Sequence, residues 1–178
     1  MGSSLTVKHK IVRLLWGIVW TLFAKPFPRS VGNRWKCFLL RLFGAKISKT
    51  ARVYSSTKVY YPANLVMGEY SCLGPDVDCY NVDKVILKNH VLVSQKAYLC
   101  TASHNYNDKG FPLITSPIMI ENEAWVAADT FISMGVTVGE GAVVGARAAV
   151  YKDVDPWTIV GGNPAKIIGK REKNSFYE

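Results

Sequence analysis

The side chains whose ordinary pKa lies nearest neutrality are three histidines, His9, His90 and His104. His104 opens the longest stretch without a hydrophobic pattern, HNYNDKGFPLITSP, running to Pro117. An imidazole there can act as general base, as metal ligand or as a solvated surface group. A long excursion from a compact body usually binds or catalyses, which favours one of the first two. A three-histidine zinc centre lacks its third ligand, because His9 lies far off near the N-terminus and His90 falls on an outward turn position, so no metal site is expected. Cys37, Cys72, Cys79 and Cys100 show no C-x-x-C spacing. They read as buried or incidental thiols in a reducing cytoplasm, with Cys79 on an inward position.

The elements that must position His104 announce themselves by period. Aliphatic residues recur every six positions at Ile120, Val126, Ile132, Val138, Val144 and Val150, and a residue of limited size follows each four places on: Ala124, Thr130, Val136, Ala142, Ala148 and Val154. Six residues fit neither a helix nor an alternating strand. The same repeat holds in earlier registers, through Ile47, Val53, Val59 and Leu65, then Met67, Leu73 and Cys79, then Leu87, Val93 and Leu99. Each shift of register predicts a short insertion at a corner. Short strands separated by turns, three to a coil, stack inward-pointing aliphatics into one core. The pattern predicts a mainly β protein, a β-helix prism of about five coils, with a protruding loop at 105–117.

Two segments add a resemblance. Leu99 to Tyr106, LCTASHNY, resembles the catalytic-histidine segment of sugar O-acetyltransferases with hexapeptide repeats, especially the colanic-acid and exopolysaccharide branch. Val150 to Lys166, VYKDVDPWTIVGGNPAK, is similar to the family's closing coil and its Gly-Asn-Pro-Ala-Lys turn. The resemblance implies a left-handed parallel β-helix, acetyl-CoA as acyl donor, His104 as general base and direct transfer to a sugar or glycolipid hydroxyl. It further implies that Trp125, Ala128, Ala146, Tyr151, Lys152 and Lys166 meet coenzyme A, and that Asn81 and Asn105 meet the acceptor. It also implies a homotrimer whose sites lie between neighbouring prisms. Tyr151 stands where a small hydroxylated residue is usual and Gly169 where a basic one is common, so Lys170 or Arg171 would have to compensate. Imidazole suits the chemistry, taking the hydroxyl proton near neutral pH while backbone N–H groups of adjoining coils stabilise the oxyanion.

The net charge of +9 on 178 residues is unevenly placed. Residues 1–46 hold nine basic residues and no acidic one, and the remainder balances 13 against 13. A basic nucleic-acid-binding core is therefore excluded, and a basic arm or membrane-surface segment is favoured. Ile11 to Ala24 is too short to span a bilayer, which needs about 20 apolar residues, and Arg13 interrupts it. Wound as a helix it gathers Lys10, Arg13, Gly17 and Thr21 on one stripe, the pattern of an in-plane helix. Pro26 and Pro28 should end it, and a second helix should run from Gly32 or Asn33 to Gly44. No small-residue cleavage site follows, against a signal peptide. These helices could lie on an anionic membrane or pack on the body or a neighbouring subunit; the absence of acids favours the membrane's inner face. The chain thus divides into a basic helical segment (1–46), a β-helix acyltransferase domain (47–168) and a tail (169–178). Two alternatives stand beside the O-acetyltransferase: a non-catalytic scaffold of a membrane-associated polysaccharide synthesis complex, and an acetyltransferase with an amine or serine acceptor.

Overall fold

The computed structural model describes residues 6–27 and 32–173. Pro28, Arg29 and the tail beyond residue 173 lie outside them. Two helices, α1 (Val7–Phe23) and α2 (Asn33–Leu42), precede the repeat. Thr6 caps the first, its Oγ1 accepting from the His9 N–H at 3.4 Å. Gly44, at φ +95°, takes the chain out of the second as its C-terminal glycine was expected to.

The repeat closes into a three-sided parallel prism. Its first coil is Lys46–Ile47, Arg52–Val53 and Lys58–Val59, and its second is Leu65–Met67, Cys72–Leu73 and Asp78–Tyr80. Val85–Leu87, Leu92–Val93 and Tyr98–Cys100 form the third, Ile118–Ile120, Trp125–Val126 and Phe131–Ile132 the fourth, and Thr137–Val138, Val143–Val144 and Ala149–Val150 the fifth. A partial sixth follows, with Val154 bridging Val138 and Thr158–Gly161 pairing with Val143–Val144. Each strand pairs in register with its counterpart a coil away, as Val126 does with Val93 and Val144.

The six-residue positions are the core because the period returns each of them to the inside of its side. Ile120, Val126, Ile132, Val138, Val144 and Val150 are all buried, and so are their partners from Ala124 to Val154. Of the residues four places after the earlier aliphatics, Ala51, Thr57, Val91 and Ala97 are buried, while Ala63 and Ser103 are exposed: the single-turn helix Pro62–Asn64 occupies one corner and buries Pro62 instead, and Ser103 lies in the strand Ala102–His104 that leaves the third coil. The register shifts all fall on the corner where the third side of one coil returns to the first side of the next. Here this is the return corner; the corner at the other end of the third side is the far corner.

The helices seal the N-terminal end. With no coil beneath it, the first coil would leave one edge of each side unpaired. Asn33 donates Nδ2 to the Ala51 carbonyl at 2.9 Å and accepts the Val53 N–H on Oδ1 at 3.1 Å. Arg41 donates to the carbonyls of Ile47 and Ser48, both at 2.9 Å. Trp16 Nε1 donates to Val59 O at 2.7 Å. All three sides are thereby capped. Lys36, fully buried on α2, finds no hydrogen-bond partner for its ammonium nitrogen among the described residues, and burial pushes its pKa down.

Candidate active site

Three successive insertions stack at the return corner and support the third, which carries His104. Asn81 is fully buried there, its Oδ1 accepting the Tyr61 N–H at 3.0 Å and its Nδ2 donating to Tyr61 O at 2.8 Å. Asn64 donates in turn to Val82 O at 2.7 Å. One coil on, Thr101 accepts the Asp83 N–H at 2.9 Å and donates to Tyr80 O at 2.9 Å. Asn81, expected to touch the acceptor, has both ends of its amide engaged with backbone and no surface to offer. It builds the corner.

The segment after Thr101, expected as a structureless excursion, is a β-hairpin. Ala102–His104 pairs antiparallel with Leu113–Thr115, His104 opposite Leu113. Its tip is knitted by side chains that mimic turns: Asn105 Oδ1 accepts from the Asn107 N–H at 3.2 Å, and Asp108 Oδ1 from Gly110 N–H at 2.8 Å. Asn105 also donates its own N–H to Pro112 O at 3.0 Å. The turn brings Phe111, at φ +43°, back over His104. Their rings stack 4.6 Å apart and 9° from parallel, and His104 Nδ1 lies 2.8 Å from the Phe111 carbonyl oxygen. A carbonyl only accepts, so this partner assigns the proton to Nδ1 and leaves a lone pair on Nε2. His104 itself is exposed. Phe111 had no signal in the sequence, since neither its ring nor its carbonyl belongs to the repeat.

The expected coenzyme residues lie in two places. Ala128 and Ala146 occupy the same turn position of successive coils at the far corner, where Arg147 N–H donates to Ala128 O at 2.9 Å. Gly162 continues that column, its carbonyl accepting the Ala149 N–H at 2.9 Å. Trp125 stands beside it on the outer face of the second side, exposed, with Nε1 donating to Ser94 Oγ at 2.9 Å. Arg147, paired only with Asp129 at 3.6 Å and otherwise in solvent, adds a cation to this column that the repeat pattern did not single out. Tyr151, Lys152 and Lys166 line a cleft of about 490 Å³ at the C-terminal end of the prism, floored by Val150, Val154, Thr158 and Val160. A ladder of rings crosses the coils on the outer face of the third side, Tyr60 to Tyr80 to Tyr98 to Phe131 to Tyr151, with steps of 4.7 to 6.4 Å. Burial pushes the Tyr80 and Tyr98 phenols upward, so both stay protonated at neutral pH.

His90 sits at a corner, as expected, with φ +59° and its ring stacked on Tyr70 at 5.0 Å. Among the described residues no three His, Cys, Asp or Glu side chains converge on a metal-sized site. The four thiols are free, and burial pushes Cys79 well above the usual thiol range.

Coils with six-residue sides define a hexapeptide-repeat protein, and comparison with known proteins narrows the class. No family model matches the chain. A protein of Escherichia coli K12 that carries the name colanic acid biosynthesis acetyltransferase is 42% identical over 160 residues, covering 90% of this chain and 87% of its own. The crystal structure of a hexapeptide-repeat acetyltransferase from Vibrio cholerae superposes with a TM-score of 0.82 at 26% identity, covering 94% of this chain and 95% of that one. The acetyl-coenzyme A complex of that Vibrio protein gives 0.80 at 25% identity, over 94% and 91% of the two chains. The chain belongs to the hexapeptide-repeat acetyltransferases, and it is an acyltransferase.

Proposed function

We propose that the protein transfers the acetyl group of acetyl-CoA directly to a sugar hydroxyl on a precursor of a surface polysaccharide, with His104 as general base. The observation that carries this reading is the bond from His104 Nδ1 to the Phe111 carbonyl, which fixes the ring and presents a basic Nε2. In the reaction the acceptor oxygen attacks the thioester carbonyl carbon while Nε2 takes the hydroxyl proton. The tetrahedral oxyanion, held by backbone N–H donors, collapses with cleavage of the C–S bond. The imidazolium returns its proton to the departing sulfur, giving the acetyl ester and coenzyme A. No enzyme residue is acylated.

The split between the two corners supports a trimer with shared sites. The third side separates His104 from the Ala128–Ala146 column by about six extended residues, roughly 20 Å. A thioester lying along the column of one prism is out of reach of the same chain's His104, and a neighbouring prism can bring the two corners together. On this reading Trp125, Ala128, Ala146 and Lys166 hold the coenzyme, Tyr151 and Lys152 border its path at the prism end, and Asn105 remains the acceptor contact. Lys166, with Arg147 added, meets its phosphates as point or forked charges. The place of work is the cytoplasm, peripheral at the inner face of the membrane where lipid-linked sugars are assembled.

The test is thiol release from acetyl-CoA against a panel of nucleotide-linked sugars, lipid-linked sugars and amines. Ester formation on a sugar is expected; acetylation of amines alone, or no thiol release with any acceptor, overturns the reading.

A further inference from the structure

The two N-terminal helices each have two faces, and only one is used by the prism. At 100° per residue, the buried Trp16 and Trp20 of α1, with Ala24 just past its end, lie opposite Leu14, Ile18, Ile11 and Leu22, which are 48 to 66% exposed. On α2, Asn33, Cys37 and Arg41 face the first coil, while Trp35, Phe38 and Leu42 point away and are 39 to 67% exposed. The two helices are joined where Trp35 Nε1 of α2 donates to Phe23 O of α1 at 2.7 Å, and within α2 Trp35 stacks on Phe38 at 5.6 Å. Both outer faces lie on the far side of the helices from the coil they cap. They form one apolar end to the molecule.

We infer that this end is a lipid-docking surface that sets the prism on an anionic bilayer by its N-terminal end. This deepens the peripheral location proposed above, and it is independent of the acetyl-transfer chemistry. Charge selects the occupant. Of the eight basic residues before Ile47 among the described residues, Arg41 is engaged with carbonyls, Lys36 is buried and Arg13 lies over the Tyr60 ring at 3.6 Å. Lys8, Lys10, Lys25, Arg34 and Lys46 remain exposed, with Lys8 and Lys10 on opposite borders of the α1 apolar face. Exposed apolar side chains rimmed by cations match the boundary between acyl chains and anionic headgroups. A second copy of the same surface would oppose these cations with its own, with no carboxylate in residues 1–46 to offset them. No helix among the described residues is long and apolar enough to cross the bilayer, so the contact is in-plane.

Removing the segment is a poor test, since it would uncover the edges that Trp16, Asn33 and Arg41 cap. Outer-face substitutions leave those bonds in place. The full-length protein is mixed with phosphatidylcholine vesicles containing about a third phosphatidylglycerol, and with phosphatidylcholine alone. Sedimentation with the anionic vesicles is expected, weakened at high salt. L14E/I18E should lower that binding at least about tenfold, and K8Q/K10Q by about threefold, each with unchanged melting temperature and unchanged turnover on a soluble acceptor. Blue-shifted emission lost in Trp35→Phe would locate the contact on α2. Equal binding to both vesicle types, or L14E/I18E binding like the parent, overturns the proposal; so does a change of oligomeric state in L14E/I18E, which would make this end a contact between copies. Failed acetyl transfer with normal vesicle binding would count against the catalytic reading alone.

Discussion

The two corners bounding the third side of the prism are built from the same six-residue grammar and differ in what interrupts it. At the far corner nothing does. The second to fifth coils each turn in two residues, the second left-handed, with Asp76, Lys96, Asp129 and Arg147 all at φ between 57° and 60°. Regularity there lines up Ala128, Ala146 and Gly162 into a track along which a slender coenzyme arm can lie against backbone. At the return corner the chain inserts three times. Those insertions stack, through Asn81 and Thr101, into a support for the hairpin that aims His104. On the proposed reading, a solenoid separates its binding surface from its reactive group by keeping the period on one edge and breaking it on the other.

Substitutions at the two corners should fail in different ways. His104→Ala should lower turnover by about 10² or more with an unaltered melting curve, and near-normal turnover would remove His104 as base. Ala146→Trp should instead raise KM for acetyl-CoA about tenfold with a much smaller change in kcat, because it fills the track without touching the base. A fall in kcat alone would place the coenzyme elsewhere.

How much of this was legible beforehand follows the same division. The far corner and the core were readable because burial returns every six residues, as it does at Val126, Ile132 and Val138. The return corner was readable only as an interruption. Its Asn, Asp and Gly residues spell turns whether they hold a hairpin or a loose loop, and the contact between His104 and Phe111 depends on a turn geometry that no period encodes. Asn81 misled for a related reason: an amide that meets a ligand and one that braces a corner have the same sequence neighbours. In the N-terminal segment, Trp16 and Leu14 look equally apolar; only the position of the first coil decides which is buried. One face of α1 and α2 therefore packs on the body, and the other is left open.

Two smaller effects probe the N-terminal cap on the first coil. Asn33→Ala leaves the Val53 N–H and the Ala51 carbonyl without their partner and should cost about 1–3 kcal/mol in denaturant unfolding, with specific activity unchanged. Lys36→Met should stabilise by about 1–2 kcal/mol by removing a buried amine. The sign can be checked by pH. Burial lowers the folded pKa of Lys36 below its unfolded value, so the unfolded chain binds the extra proton and native stability rises with pH between the two values. The advantage of Lys36→Met should shrink as pH approaches about 10.4, where the unfolded lysine is also neutral. A constant advantage would mean that the amine is charged in the fold.

The central claim is that base and coenzyme track meet only between chains, and co-expression of two impaired variants tests it directly. His104→Ala supplies an intact track and Ala146→Trp an intact base; assayed at acetyl-CoA well below either KM, the former alone should keep about a hundredth of parent activity or less and the latter about a tenth. If the sites are shared in a randomly mixed trimer, about a quarter of the interfaces combine both good halves, and activity near that fraction of the parent should return. Mixed assemblies no more active than the variants alone would place the whole site within one chain and contradict the account.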